Sequence, residues 1–245
     1  MVKVGVVQTG SYQTNKEGIL KIAKVLERLG KRKVALVCLP EQWLRNSEIS
    51  DFDSEFVEFK ETAKKFHMTI IPGAFYTKSG TDITISSPVI GPNGEIIGTQ
   101  EKIHPFDYEK KTIIPGKEVK VFDTSCRFGI LICYDMVFPS VATTLVKKGA
   151  QILLSPSRIV RRGIDPWETY VRARSLENRI PIVAANVKNK RFGGNSLIID
   201  LFENNKVMIP KVMKTKEGES IVKNLDLKKL ERVRKERFSD SMEFF

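Results

Sequence analysis

Short apolar runs that alternate with segments of helical periodicity constrain the fold of this chain more than any other feature. Residues 34–39 form a β-rich apolar run bounded by charge and by proline, which predicts a buried strand. Residues 14–17 have the form of a capping box, and apolar residues follow them at helical spacing. Between residues 82 and 103 the pattern predicts two strands around a Gly-Pro-Asn-Gly turn at 91–94. This alternation predicts an α/β protein in which helices lie outside one large sheet or two sheets.

The same patterns predict the remaining elements. Further strands are expected at residues 1–7, 68–75, 119–122, 127–132, 151–154, 181–187, 196–199 and 220–224. Helices are expected from Thr14 to a stop at Gly30, at 53–66, at 139–148, at 167–179 and after Asp226, which we expect to cap the last helix. No linker or internal repeat separates these elements, so we expect residues 1–245 to form a single domain.

The charge balance is strongly basic, with 41 lysines and arginines against 29 aspartates and glutamates and a formal net charge of +12. Such an excess attracts nucleic acid or acidic membranes in some proteins, but here the basic residues are scattered and no nucleic-acid-binding motif accompanies them. We therefore expect a solvated basic surface and no nucleic-acid partner. No apolar run approaches the roughly 18 residues that a membrane span needs. The first seven residues are typical of a strand rather than a secretion signal, which favours a cytoplasmic protein.

The cysteines and histidines argue against a disulfide framework and against a metal. Cys38, Cys126 and Cys133 are an odd number without CxxC spacing. His67 and His104 do not lie at metal-ligand spacing from a cysteine or from a pair of carboxylates. We expect no metal and no organic cofactor.

Three chemically active residues follow predicted strands directly. In open α/β sheets, ligands gather beyond the carboxyl ends of strands, and Glu41, Lys102 and Cys133 each occupy such a place. Glu41 abuts an apolar run, which suits a carboxylate to proton transfer. Cys133 lies on a predicted strand-to-helix turn, where a helix N-terminus and a lysine lower the pKa of a thiol. Each residue also has an ordinary interpretation: a loop glutamate, a solvated lysine and a core cysteine.

No histidine accompanies the thiol in the way that papain-like enzymes require. His104 is the one histidine near the other two strand exits, and His67 follows a helix of surface type. If Cys133 acts as a nucleophile, glutamate and lysine are the better helpers. We assign Cys38 and Cys126 to the core, which is the common fate of an unpaired cysteine.

Four segments, in this order, resemble the nitrilase superfamily of carbon–nitrogen hydrolases, nearest to its amidase or omega-amidase-like branch. They are Leu-Pro-Glu at 39–41, Glu-Lys-Ile-His-Pro-Phe at 101–106, Gly-Ile-Leu-Ile-Cys-Tyr-Asp-Met-Val-Phe-Pro at 129–139, and Arg-Ala-Arg-Ser-Leu-Glu-Asn at 172–178 followed by 181–186. The resemblance covers nearly the whole chain. It implies an α-β-β-α sandwich of two mixed sheets with helices outside, and pairing of protomers into a homodimer or higher homo-oligomer.

The resemblance also implies a chemical role for each site residue. Cys133 is the expected nucleophile, Glu41 the general base and Lys102 the cation that stabilises the oxyanion together with the backbone N–H of Tyr134. Glu109 is similar to a second glutamate of the omega-amidase branch and is expected to orient Lys102 and the substrate. The implied reaction is hydrolysis of a small non-peptide amide through a thioester. Nitrile hydrolysis and N-carbamoyl removal use the same residues and stay open, as does a different class, a catalytically silent basic scaffold or nucleic-acid binder.

The chain departs from the family pattern in ways that bear on the substrate. Val137 and Ser140 replace an arginine and a glutamate of the frequent cysteine segment. Met136 and Val137 occupy the places of two arginines that grip the substrate carboxylate in the D-carbamoylase branch, so that substrate class is disfavoured. Three arginines in the next loop, Arg158, Arg161 and Arg162, are candidates for a carboxylate site, and a solvated basic loop is the alternative interpretation.

Overall fold

Two β-sheets lie face to face in the computed structural model, which describes residues 1–215 and 219–240. The strands, in chain order, are β1 (Val2–Val7), β2 (Leu36–Cys38), β3 (Thr69–Ile71), β4 (Phe75–Ser79), β5 (Asp82–Ile90), β6 (Ile96–Glu101), β7 (Val121–Asp123), β8 (Arg127–Ile130), β9 (Ile152–Pro156), β10 (Ile182–Ala185), β11 (Leu197–Asn204), β12 (Val207–Lys214) and β13 (Ser220–Leu225). The first sheet has the order β13-β1-β2-β3-β5-β4, with β6 also paired to β5. The second sheet has the order β12-β11-β10-β9-β8-β7.

Both sheets are mixed. The centres are parallel, β1–β2–β3 in one sheet and β8–β9–β10 in the other, and the outer pairs are antiparallel. The helices are α1 (Asn15–Lys31), α2 (Phe52–Glu55), α3 (Val57–Phe66), α4 (Pro139–Lys147), α5 (Ile164–Asn178) and α6 (Lys229–Ser239). Helices α1 to α3 pack on the outer face of the first sheet, and α4 and α5 pack on the outer face of the second. The predicted α-β-β-α sandwich is confirmed.

Alternation along single strands explains these layers. In β2, Leu36 and Cys38 point into the apolar layer between the sheets, whereas Val37 points outward to the helices. In β9, Ile152 and Leu154 join the inner layer, and Leu153 joins the outer one. Because successive strand residues face opposite sides, a strand covered on both faces must be apolar throughout. Within the described ranges, no helix is both long enough and apolar enough to cross a bilayer.

The predicted strand at 68–75 is wrong, because the chain forms β3 and β4 there with a break between them. Gly73 causes the break. It has a φ of +123°, and a Cβ at this position would lie 2.2 Å from the carbonyl oxygen of Pro40. Only glycine combines this backbone conformation with so close an approach to another backbone segment.

The hairpin of β11 and β12 extends beyond the predicted strand at 196–199. Asn205 and Lys206, with φ of 48° and 66°, form its two-residue turn. This geometry is that of a type I′ turn, which usually contains glycine. The missing glycine and the partly exposed faces of β12 explain why the pattern did not predict the strand.

Helix ends differ from prediction in three places. The predicted helix 53–66 is interrupted at Phe56, which separates α2 from α3. Helix α5 begins at Ile164, three residues before the predicted start. Asp226 does not cap the last helix, since the residue before the first turn is Lys228, which makes no side-chain capping bond. By contrast, the Thr14 hydroxyl accepts a hydrogen bond from the N–H of Glu17 at 3.1 Å, as predicted for α1.

Candidate active site

The three predicted strand-exit residues line one cavity. Glu41 follows β2, Lys102 follows β6 and Cys133 follows β8, and all three contribute to its wall. The Nζ atom of Lys102 lies 2.9 Å from Oε1 of Glu41 and 2.8 Å from Oε2 of Glu109. The three charged side chains are at most 4% exposed. Two carboxylates therefore share one buried ammonium beside the thiol.

Backbone contacts to both sheets hold Glu41 in position. Its N–H donates to the carbonyl of Ser157, which follows β9 in the second sheet, at 3.3 Å. The N–H of Gln42, which has a positive φ of 45°, donates to the carbonyl of Ala74 at 2.9 Å. Since Gly73 packs against Pro40, the segment before Glu41 is fixed on that side as well.

Lys102 and Glu109 are held by a short loop that returns to the same place. The Lys102 N–H donates to the carbonyl of Ile85 at 2.8 Å, and its carbonyl accepts from Gly116 at 2.8 Å. Glu109 lies in a 3₁₀ turn and also accepts a hydrogen bond from the N–H of Phe106 at 2.7 Å. The Glu109 carboxylate thus accepts from two donors, the ammonium of Lys102 and the N–H of Phe106, and these two bonds fix the orientation of the Glu109 side chain.

Cys133 occupies a strained backbone position. Its φ is +48°, and it opens a 3₁₀ helix spanning Cys133–Val137 directly after β8 and two connecting residues. A non-glycine residue in the left-handed region costs about 1–3 kcal/mol and persists only when its surroundings enforce it. The sharp turn predicted for Cys133 is confirmed.

Asp135 joins the lysine segment to the cysteine segment. Its carboxylate is buried and accepts hydrogen bonds from the N–H of Ile132 at 3.1 Å and from the N–H of His104 at 2.7 Å. The Asp135 carboxylate also accepts a hydrogen bond from the N–H of Ile103 at 3.4 Å and lies 3.0 Å from Nδ1 of His104. Asp135 is not among the predicted site residues, although an acid within an apolar stretch is a signal for a buried, hydrogen-bonded carboxylate.

The pKa of the Cys133 thiol moves in the opposite direction to that predicted. Burial raises the pKa above the usual value of a thiol and the charge of Glu41 raises it further, while Lys102 and the N–H of Arg158 act the other way without prevailing. The expectation of a lowered pKa is wrong because it counted the lysine and the helix but neither the burial nor the glutamate. The thiol therefore keeps its proton at neutral pH until a base removes it.

Lys102 stays protonated. Burial lowers the pKa of its ammonium, but the charges of Glu41 and Glu109 outweigh burial and raise the pKa above that of a free lysine. The site therefore holds a permanent cation next to a protonated thiol.

The cavity has a volume of about 280 Å³ and mostly apolar walls. Met136 and Val137, which stand where another branch carries arginines, are part of the wall. Aromatic side chains supply much of the remainder, namely Phe106, Tyr108, Tyr134, Trp167, Tyr170 and Phe192. Helix α5, two 3₁₀ turns and loops from distant parts of the chain contribute them, so no single periodic pattern could have indicated them.

The structure separates the three candidate arginines. Arg158 lines the cavity, whereas Arg161 donates to the backbone carbonyls of Asn189 and Lys190, and Arg162 is exposed and outside the cavity. Arg191, which sequence analysis missed, also lines it.

The histidines do not line the cavity. The His104 ring stacks on Phe138, with centroids 3.7 Å apart, and bonds to Asp135. His67 terminates α3. Cys38 and Cys126 are buried in the layer between the sheets, as predicted. Within residues 1–215 and 219–240, no group of three histidine, cysteine, aspartate or glutamate side chains is arranged to hold a metal ion.

Residues 3–235, which include all of the site residues described above, match the family described as carbon-nitrogen hydrolase. The chain belongs to the carbon–nitrogen hydrolase family. This carbon–nitrogen hydrolase is 29% identical to the deaminated glutathione amidase of Dictyostelium discoideum over 232 residues, covering 81% of this chain and 80% of the relative. It is 33% identical over 137 residues to omega-amidase NIT2 of Danio rerio, which covers 51% of this chain and about half (50%) of that relative.

A solved structure shares both the fold and part of the sequence of this carbon–nitrogen hydrolase. Nit3 of Saccharomyces cerevisiae, a member of branch 10 of the nitrilase superfamily, superposes with a TM-score of 0.82 at 26% identity. The superposition covers 96% of this chain and 93% of that protein. The nitrilase-superfamily resemblance of the four sequence segments is thereby confirmed.

Proposed function

We propose that this protein is an amidase that hydrolyses a small non-peptide amide through a thioester on Cys133. The observation that carries the proposal is the buried cluster of Glu41, Lys102 and Glu109 in the same cavity as the thiol. The amidase activity in the names of two relatives supports an amide as the substrate.

In the proposed first half-reaction, Glu41 takes the proton of Cys133 and the sulfur attacks the amide carbon. A base is required because burial and Glu41 raise the pKa of the thiol. The negative charge moves to the carbonyl oxygen, where Lys102 and the first-turn N–H of Tyr134 stabilise it. Losing one such donor typically costs about 100- to 1000-fold in rate. The C–N bond breaks, and the leaving amine takes its proton from Glu41.

In the second half-reaction, Glu41 takes a proton from water, and the oxygen attacks the thioester carbon. The C–S bond breaks, the acid leaves, and the proton returns to the sulfur of Cys133. Glu109 accepts a hydrogen bond from Lys102 throughout and holds the ammonium towards the reacting oxygen. One amide and one water thus give one acid and one amine.

The proposal is tested by ammonia release from a panel of short amides, nitriles and N-carbamoyl compounds. We expect turnover of amides, an acyl adduct on Cys133 in rapidly quenched samples by mass spectrometry, and loss of both with Cys133→Ala. Cys126→Ala, which removes a cysteine from the layer between the sheets, is the matched control and should retain turnover. Undiminished amide hydrolysis by Cys133→Ala contradicts the assignment, and turnover of nitriles alone makes the protein a nitrilase instead.

We also propose a homodimer or larger homo-oligomer, which the resemblance supports, and a location in the cytoplasm. Three unpaired cysteines are consistent with a reducing compartment. Sedimentation velocity tests the assembly, and a single species with the mass of one chain, 27.8 kDa, at micromolar concentration contradicts it.

A further inference from the structure

We propose that Asn186, which lies behind the wall of the cavity, is a positioning residue for the chemistry of the thiol. Its carboxamide holds residues 157–159, the segment that follows β9 and adjoins both the proposed base and the proposed nucleophile. The expected effect on turnover rests on the proposed amidase function, whereas the expected effect on the thiol itself does not.

Residues 157–159 link the base to the nucleophile. The carbonyl of Ser157 accepts a hydrogen bond from the N–H of Glu41 at 3.3 Å. The N–H of Arg158 favours the thiolate form of Cys133, which lowers the thiol pKa although burial and Glu41 together raise it. A displacement of this segment therefore moves the base and withdraws a hydrogen-bond donor from the thiolate at the same time.

The carboxamide of Asn186 holds residues 157–159 from behind. Its Oδ1 atom accepts hydrogen bonds from the N–H of Ile159 at 2.8 Å and from the N–H of Val187 at 2.9 Å. Its Nδ2 atom donates to the carbonyl of Gly194 at 2.7 Å. Because one carboxamide both accepts and donates, its replacement by alanine leaves two N–H groups and one carbonyl without this partner.

A second set of buried bonds fixes Asn186 to both sheets. Its N–H donates to Oγ of Ser196 at 2.8 Å, and the Ser196 hydroxyl donates to the carbonyl of Asn186 at 3.1 Å. The N–H of Ser196 and the hydroxyl of Thr215 both donate to Oε1 of Gln8, at 3.2 and 2.8 Å. Gln8 directly follows β1 in the first sheet, whereas Ser196 directly precedes β11 in the second. A residue that positions reacting groups must itself be fixed by such bonds.

Loss of stability alone would not identify a positioning residue, because a buried carboxamide with its hydrogen bonds also stabilises a fold. The distinguishing quantity is the reactivity of Cys133 in protein that is still folded. Asn178 provides the control, since its carboxamide is 1% exposed and donates to the carbonyl of Arg174 within α5 at 3.0 Å. Its removal perturbs the fold at a place remote from residues 157–159.

The first measurement is the rate at which iodoacetamide alkylates Cys133 at pH 8, read from the mass of its peptide. Asn186→Ala should slow alkylation by about 3- to 10-fold, because the N–H of Arg158 is no longer held towards the thiolate and the thiolate fraction falls. On the best amide substrate, this variant should lower kcat by about 10- to 100-fold with little change in KM, the cost of misplacing a reacting group by about 1 Å. Asn178→Ala should lower the urea midpoint and leave both kinetic values unchanged.

Ser196→Ala keeps the carboxamide and removes only the hydroxyl that holds the backbone of Asn186. It should change both kinetic values in the same direction by a smaller factor, and it decides the question if circular dichroism shows that Asn186→Ala is unfolded. Alkylation at the wild-type rate in folded Asn186→Ala, or in Ser196→Ala when only that variant folds, overturns the positioning role. Equal slowing in Asn178→Ala also overturns it, because loss of any buried carboxamide would then suffice. If the wild type hydrolyses no amide but alkylation still depends on Asn186, the amidase proposal fails and the positioning of the thiol stands.

Discussion

Replacing Lys102 by methionine removes the ammonium group that lies between the carboxylates of Glu41 and Glu109, at 2.9 and 2.8 Å. Because all three side chains are at most 4% exposed, the little water that reaches them from the cavity replaces the lost partner only in part. Breaking a buried ion pair by removing one member costs about 3–5 kcal/mol. Native proteins are typically stable by about 5–15 kcal/mol, so the loss is a large fraction of the total.

The assay is urea unfolding at pH 8, followed by tryptophan fluorescence. With an m-value of about 2–3 kcal/mol/M, the midpoint of Lys102→Met should fall by about 1–2.5 M urea. Since neighbouring charges raise the folded pKa of Lys102 above its unfolded value, its contribution is complete below about pH 10, which includes the assay pH. At pH 5 the difference from wild type should shrink, because one uncompensated carboxylate can then take up a proton.

Two companion variants make this prediction specific. Lys102→Met combined with Glu109→Gln leaves one buried carboxylate instead of two and should regain part of the lost stability. Lys21→Met removes a lysine paired with Glu17 at the surface, with side chains 62% and 34% exposed, and should not measurably change the midpoint. A loss below about 1 kcal/mol at pH 8, or one that is equal at pH 5 and pH 8, refutes the reasoning from a buried charge cluster.

Three further predictions concern the segments around the cavity. Glu41→Gln should shift the pH midpoint of Cys133 alkylation by iodoacetamide downward, because after burial the Glu41 charge is the next cause that raises the thiol pKa; an upward shift contradicts this electrostatic account. Gly73→Ala should lower the melting temperature and the amide turnover, because its Cβ would lie 2.2 Å from the carbonyl oxygen of Pro40, the residue before Glu41. The control Gly80→Ala also has a positive φ, but no atom lies within 4 Å of the added Cβ, so it should cost less stability and no turnover. Equal effects of the two substitutions rule out displacement of Glu41 as the cause. Asp135→Asn should cost at least about 1–3 kcal/mol in urea unfolding and reduce kcat, because the amide cannot accept all the N–H groups that the carboxylate satisfies; wild-type values for both mean that Asp135 does not position the two segments.

Much of the fold follows from periodicity. Strands buried on both faces, such as β2 and β9, have uninterrupted apolar runs, which predict them. The rule that ligands gather beyond strand ends then indicates Glu41, Lys102 and Cys133, which line the cavity. The elements that escaped prediction depend on particular backbone geometry. Gly73 breaks a continuous apolar run through its contact with Pro40, and Asn205 with Lys206 turns a hairpin without glycine.

The cavity walls and the thiol electrostatics were less accessible to sequence analysis. Arg191 and Phe192 reach Arg158 only because the bridge between Val160 and Phe192 brings two loops together, and no periodic pattern reports such a bond. The direction of the Cys133 pKa depends on how deeply the sulfur is buried and on which charge lies nearer. Both quantities are properties of the packed molecule rather than of any segment.

The proposed base and nucleophile belong to different sheets, Glu41 to the strand exit of β2 and Cys133 to that of β8. Neither sheet carries a complete set of reacting groups, so the chemistry exists only while the apolar layer between the sheets stays closed. Slippage of one sheet over the other by the rise of a single residue, about 3.3 Å, would separate carboxylate from sulfur beyond proton-transfer distance. Turnover should therefore be lost together with amide-exchange protection of β2 and β8, which makes catalysis a sensitive measure of how the two sheets are aligned.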